Sequence, residues 1–181
     1  RVFAHRFEGV VPEGQEPAER PYWRDIGTLD AYWEANMDLV SITPAFNLYD
    51  REWPIRCELR QSPPAKIVFG GTEEHGVKAD VTDTFVSHGC IVSGARVERS
   101  VLSPRVIIER GSHVSDSIIM SGVRIGRNCR IHRAIMDKNT VVPDGMQIGV
   151  DPESDAGAFT LSKGGIVVIP KEMPIQPPAQ G

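Results

Sequence analysis

The 181-residue chain has no run approaching eighteen consecutive apolar residues, so it predicts no membrane span. Its first ten residues, RVFAHRFEGV, lack the apolar core of a secretory leader and an initiator methionine. That points to a chain that is processed or cut from something longer. Cysteine is scarce: Cys57, Cys90 and Cys129 are an odd set with no short-spaced pair. They read as buried, reduced thiols in a cytoplasmic protein, neither a disulfide framework nor a metal set. An excess of positive charge is missing as well, and the net charge of −4 argues against general nucleic-acid binding. What remains, 40% hydrophobic and 24% charged, suits a soluble globular protein with room for one domain, or one and a fragment.

Four regions follow. In residues 1–40, RVFAHRF alternates like a short strand and EGVVPEGQEPAERP reads as a polar loop. A helix then begins at Thr28, a good N-cap, with Asp30 in the first turn, where the dipole favours an acid. Leu29, Tyr32, Trp33, Met37 and Val40 form one apolar stripe, which needs a larger partner surface. Residues 41–66 are broken by Pro44, Pro54, Pro63 and Pro64, yet carry Phe46, Leu48, Tyr49, Trp53 and Ile55. They read as a packed, extended linker between domains. Residues 151–181 hold an acidic start, the run GIVVIP, expected to cover an open end, and a Pro-rich tail expected to be disordered.

Residues 67–150 carry an internal repeat. Val101, Ile118 and Ile135 are spaced by 17, as are Ile108, Ile125 and Val142, and Val114, Ile131 and Ile148. Running the last two columns back gives Ile91 and Val97, with Phe85 one residue out of step. Apolar positions fall about six apart within a turn. Hexads taken three to a coil, with stacked aliphatics, predict a parallel β-helix of four coils. Gly89, Gly94, Gly111, Gly122 and Gly126 fall at or near its corners.

The coils are basic on an acidic chain. Thr84 to Ile148 holds nine Arg or Lys against five Asp or Glu. Arg96, His113 and Arg130 lie one coil apart, and Arg110 and Arg127 form a second column. Such cations are either solvated and paired, or an anion site for a phosphorylated effector or acidic neighbour. His88, His113 and His132 fall in different columns, which argues against zinc and leaves them as candidate bases for a hexapeptide-repeat acyltransferase.

An aromatic-Arg-Asp turn opening a helix, a Trp-Pro linker and hexad coils make a recognisable order. YWRDIGTLDAYWEANMDL, NLYDREWPIR, PPAKIV, VSHGCIVSGARVERSVLSPRVII, MDKNTVVPDGMQIG and DPESDAGAFTLSKGGIVVIPKEM resemble the C-terminal part of ADP-glucose pyrophosphorylases (glucose-1-phosphate adenylyltransferases). The resemblance covers nearly the whole chain. It implies a left-handed β-helix that builds a homotetramer with allosteric sites. Residues 1–40 would be the last piece of an α/β nucleotidyltransferase domain. That domain's Gly-rich phosphate loop has no counterpart here: FGGTEEHG has glycines but no basic partner and reads as a turn.

By this resemblance Asp25 is the second carboxylate for Mg²⁺ in a reaction of ATP with glucose 1-phosphate that yields ADP-glucose and pyrophosphate. Tyr22 and Trp23 read as packing residues. Lys138 and Lys171 match positions for a sugar-phosphate effector, where relatives often carry Arg, and Arg127 and Arg130 join them as candidates. The 181-residue chain alone is expected to be folded in its coils but inactive.

Overall fold

The computed structural model describes residues 2–3, 22–51, 54–55, 61–71 and 76–176. The expected first strand apart from Val2 and Phe3, the polar loop, Trp53, Cys57 and the end of the Pro-rich tail lie outside the described residues. Thr28 caps α1 (Leu29–Leu39) as expected, its hydroxyl accepting from the Ala31 N–H at 3.1 Å. The strands that follow are short: β1 (Lys66–Val68), β2 (Asp80–Thr82), β3 (Phe85–Val86), β4 (Ile91–Ser93), β5 (Arg96–Glu98), β6 (Val101–Leu102), β7 (Ile107–Ile108) and β8 (His113–Ser115). After them come β9 (Ile118–Ile119), β10 (Arg124–Ile125), β11 (Arg130–His132), β12 (Ala134–Met136), β13 (Val141–Val142), β14 (Gln147–Ile148), α2 (Pro152–Ala158), β15 (Thr160–Leu161) and β16 (Val167–Ile169).

These strands stack as three sheets, β1-β4-β7-β10-β13, β2-β5-β8-β11-β14 and β3-β6-β9-β12-β16-β15. Neighbours run parallel everywhere except between β15 and β16. Each coil gives one strand to each sheet, so the chain winds as a three-sided parallel β-helix, and a five-stranded face spans four turns. GIVVIP contributes β16, which pairs with β12 and is edged by β15. Across FGGTEEHG, Gly70 and Val77 exchange backbone hydrogen bonds of 2.9 and 3.0 Å.

Inside the prism the columns are Val92-Ile108-Ile125-Val142, Val97-Val114-Ile131-Ile148 and Leu102-Ile119-Met136-Ile169, all buried. Each such side chain contributes about 1.5–3 kcal/mol relative to exposure. Two sequence expectations change. Val101, Ile118 and Ile135 do align, but on the outer face of their sheet, because strand side chains alternate and Leu102, Ile119 and Met136 point inward. Ile91 does not belong to the Ile108 column; Val92 does, and Ile91 pairs with Ile107 on the outside. The cause is a corner one residue shorter than its successors. Val92 and Val97 are five apart, against six for Ile108 and Val114.

Small residues satisfy the backbone at the corners. Ser100 and Ser117 each accept an N–H from the next coil and donate to a carbonyl of their own. Cys90 and Cys129 are buried free thiols, and burial pushes both up from the usual thiol value.

α2 is capped by Asp151 and buries Asp155, whose carboxylate accepts the Gly149 N–H at 2.9 Å. Burial pushes the Asp155 carboxyl up, against the lowering effect of the Gly149 bond. A carboxyl raised in the folded state favours folding most below its unfolded value. Stability is therefore lost as pH rises from the ordinary carboxyl value through the raised one. Asp155→Asn keeps an acceptor for Gly149. It should flatten this part of the pH profile of urea midpoints and cost no more than about 1 kcal/mol at neutral pH. A steeper profile in the variant would contradict this.

Candidate functional site

Asp25 stands in an exposed turn just before α1. Its Oδ1 accepts the Gly27 N–H at 3.1 Å, and its other oxygen has no hydrogen-bond partner among the described residues. Arg24 does not pair with Asp25; its guanidinium donates to Asp38 at 2.8 Å, tying the turn to the last turn of α1. Tyr22 stacks on Phe46 at 5.1 Å, whereas Trp23 is 73% exposed. Among the described residues, no three His, Cys, Asp or Glu side chains gather as a metal site. The Asp25 turn thus offers one carboxylate, which suits Mg²⁺ where phosphates and water complete the shell.

α1 lies on the outer face of β9 and β12. Tyr32, Trp33 and Met37 pack on Ile118, Ile135 and Ile166, a cluster separate from the main core. The expected apolar stripe is correct apart from Leu29, which is 44% exposed. Polar contacts frame the cluster. Trp33 Nε1 donates to the Asp116 carbonyl at 2.7 Å, and the Arg133 guanidinium sits 4.7 Å above the Trp33 ring. Arg133 also donates to the Gly164 carbonyl at 3.1 Å. Asp30 Oδ1 accepts from Ser162 Oγ at 2.6 Å and from the Gly164 N–H at 3.1 Å. Clefts of about 360 and 270 Å³ flank the C-terminal end of α1 and share Val40, Ser41, Ile42 and Asp83.

The four candidate cations divide between two corners. Lys138 and Lys171 lie in the turns two residues beyond the paired ends of the adjacent strands β12 and β16, Met136 and Ile169, with the Asp137 N–H donating to the Ile169 carbonyl at 2.9 Å. Both are exposed, and Lys171 pairs with Glu172 at 3.2 Å. Arg127 stands at the corner before β11, its N–H donating to Asp144 at 2.8 Å, and Arg130 opens β11. These two belong to another edge of the prism.

The Arg96-His113-Arg130 column exists as read. Glu98 tempers its charge, accepting from Arg96 at 2.5 Å and meeting His113 Nε2 at 3.0 Å. Arg96 first, then His113, hold the Glu98 carboxyl below its usual value. His132 Nδ1 meets Ser115 Oγ at 3.0 Å and Asp116 at 3.4 Å. His88 lies at the corner after β3. The Asp30, Arg133 and Gly164 network was not foreseen. Asp30 is more than a hundred positions from the other two, which are themselves 31 apart, and no periodic signal joins them.

Residues 63–169 match the family model described as GlmU-like, C-terminal hexapeptide. The chain belongs to that family. Within the GlmU-like hexapeptide family it is similar to curated glucose-1-phosphate adenylyltransferases. The one from Acidothermus cellulolyticus is 54% identical over 164 residues, 91% of this chain and 38% of the relative. That from Dechloromonas aromatica is 45% identical over 181 residues, 100% of this chain and 40% of the relative. That from Anaeromyxobacter sp. is 48% identical over 177 residues, 98% and 43% respectively. The chain therefore spans about two fifths of the length of these relatives, and matches their C-terminal part. Among the described residues no helix is long and apolar enough to cross a membrane.

Proposed function

We propose that this chain is the C-terminal, assembly-forming and effector-sensing part of a cytoplasmic glucose-1-phosphate adenylyltransferase. The whole enzyme would join ATP and glucose 1-phosphate into ADP-glucose and release pyrophosphate, as a homotetramer. The observation that carries this reading is the 45% identity running through the Asp25 turn, α1 and the coils alike to an enzyme of that name. In this reading residues 1–40 close a nucleotidyltransferase domain, 41–66 link it, 67–150 form the β-helix and 151–181 finish it. Asp25 would hold Mg²⁺, which screens phosphate charge when bound. The Asp25 turn presents the carboxylate and α1 orients it. Lys138 and Lys171, adjacent and exposed, would take the phosphate of an effector as two point charges. Arg127 and Arg130, on another edge, would serve a different anionic contact.

The test is pyrophosphate release from ATP, glucose 1-phosphate and Mg²⁺ by the 181-residue chain at confirmed intact mass. It runs beside the same chain joined to the N-terminal domain of a relative. The expected result is release by the joined protein alone, lowered on the order of a hundredfold by Asp25→Asn. Release by the 181-residue chain itself would overturn the reading.

A further inference from the structure

We propose that Asp30, Trp33, Arg133 and Gly164 form a latch that sets where the Asp25 turn stands, so that Asp30 and Arg133 are positioning residues for the reaction. This rests on Asp25 being the metal carboxylate proposed above.

α1 has eleven residues, none of them buried, and a helix so short is marginal on its own. Its position therefore depends on few contacts. The latch closes a ring through them. Asp30 and Trp33 are three apart and share one face of α1. Asp30 accepts from Gly164 at 3.1 Å, Gly164 accepts from Arg133 at 3.1 Å, and Arg133 covers Trp33 at 4.7 Å. The ring fixes both slide and rotation of the helix, which an apolar cluster of three isoleucines does not. A Cβ at Gly164 would overlap the Asp30 carboxylate, so a side chain there would make that carboxylate swing out of the latch.

The latch reaches Asp25 by two routes. The turn runs straight into the Thr28 cap, and Arg24 holds it to Asp38 at the other end of α1 at 2.8 Å. A displacement of α1 therefore carries Asp25 with it. The interior of the β-helix needs none of these residues, since its buried columns close without them.

The experiment uses the whole enzyme that carries this chain, with Asp30→Ala, Arg133→Ala, Gly164→Ala and Arg133→Lys. It reads kcat, the KM for glucose 1-phosphate, the Mg²⁺ concentration for half-maximal rate and thermal unfolding. A carboxylate displaced by about an ångström should lower kcat on the order of ten- to a hundredfold and raise the Mg²⁺ requirement, with KM nearly unchanged. Arg133→Lys, which keeps the cation over Trp33, should recover part of the loss. Asp30→Ala combined with Arg133→Ala should fall short of the sum of the two single losses. Unchanged kcat and Mg²⁺ requirement in all three disruptive variants, where Asp25→Asn lowers the rate as expected, would overturn the latch. If Asp25→Asn itself leaves the rate and the Mg²⁺ requirement unchanged, the metal reading of Asp25 fails. Hydrogen exchange of the α1 amides then decides the latch: faster exchange in Asp30→Ala upholds it as a mechanical device, and unchanged exchange overturns it.

Discussion

Gly94→Ala should lower the unfolding free energy by about 2–5 kcal/mol. Two costs combine. Gly94 has φ +54°, where a side chain is disfavoured, and its Cβ would stand 2.7 Å from both the Gly70 Cα and the Val77 carbonyl oxygen. Both obstacles are backbone, so no rotamer change relieves them. Gly94 lies in the shortened corner between β4 and β5, where the Gly70 and Gly94 backbones stand close together. Urea unfolding followed by circular dichroism measures the loss. A change below about 1 kcal/mol with an unchanged m-value would mean that the Gly70–Val77 bridge swings aside freely.

Ile125→Ala should cost about 2–5 kcal/mol, by lost transfer energy and by a hole that fixed neighbours cannot fill. Ile125 is wholly buried, with Ile108 and Val142 stacked on either side of it. Each coil contacts mainly the coils next to it, so a hole between layers weakens coupling along the axis as well as total stability. The transition should broaden or split. Ile118→Ala is the control from the other face of a sheet: Ile118 packs under Trp33 and Met37 on the outside. It should loosen α1, seen as faster amide exchange there, while the coil transition stays sharp. If the two substitutions behave alike, the division between inner core and helix dock is wrong.

The column ending in Ile148 was legible because its outward neighbours, Arg96, His113, Arg130 and Gln147, are polar, and the column ending in Val142 was legible from Ile108 onward by its 17-residue spacing, although Ile107 and Val141 beside it are apolar. The third was not. Its strands are aliphatic on both faces, as in Val101-Leu102, Ile118-Ile119 and Ile135-Met136, because α1 covers the outside. A period of 17 cannot tell two adjacent apolar columns apart; only the covering helix can. Ile91-Val92 misled for a similar reason, compounded by a residue missing from the corner that follows. α1 was legible from its cap and stripe. Asp25 was legible only through family resemblance, since a single exposed carboxylate has no pattern of its own. The splitting of the cations was present in the coil phase: Lys138 lies eight residues beyond Arg130, about half a coil, and so on another edge.

One corner of the prism bears on how such a chain can change in length. Asp83, Arg99, Asp116 and Arg133 occupy it in successive layers, all with φ between 41° and 50°. Their signs alternate, and Arg99 grips Asp116 through two bonds of 2.8 Å across a step of 17 residues. Removing one coil between Arg99 and Arg133 would bring two guanidinium groups face to face in neighbouring coils, which is unfavourable. Removing or inserting a pair of coils would preserve the alternation. The ladder works as a parity check, so the solenoid tolerates growth and shrinkage in doubled units more readily than in single ones.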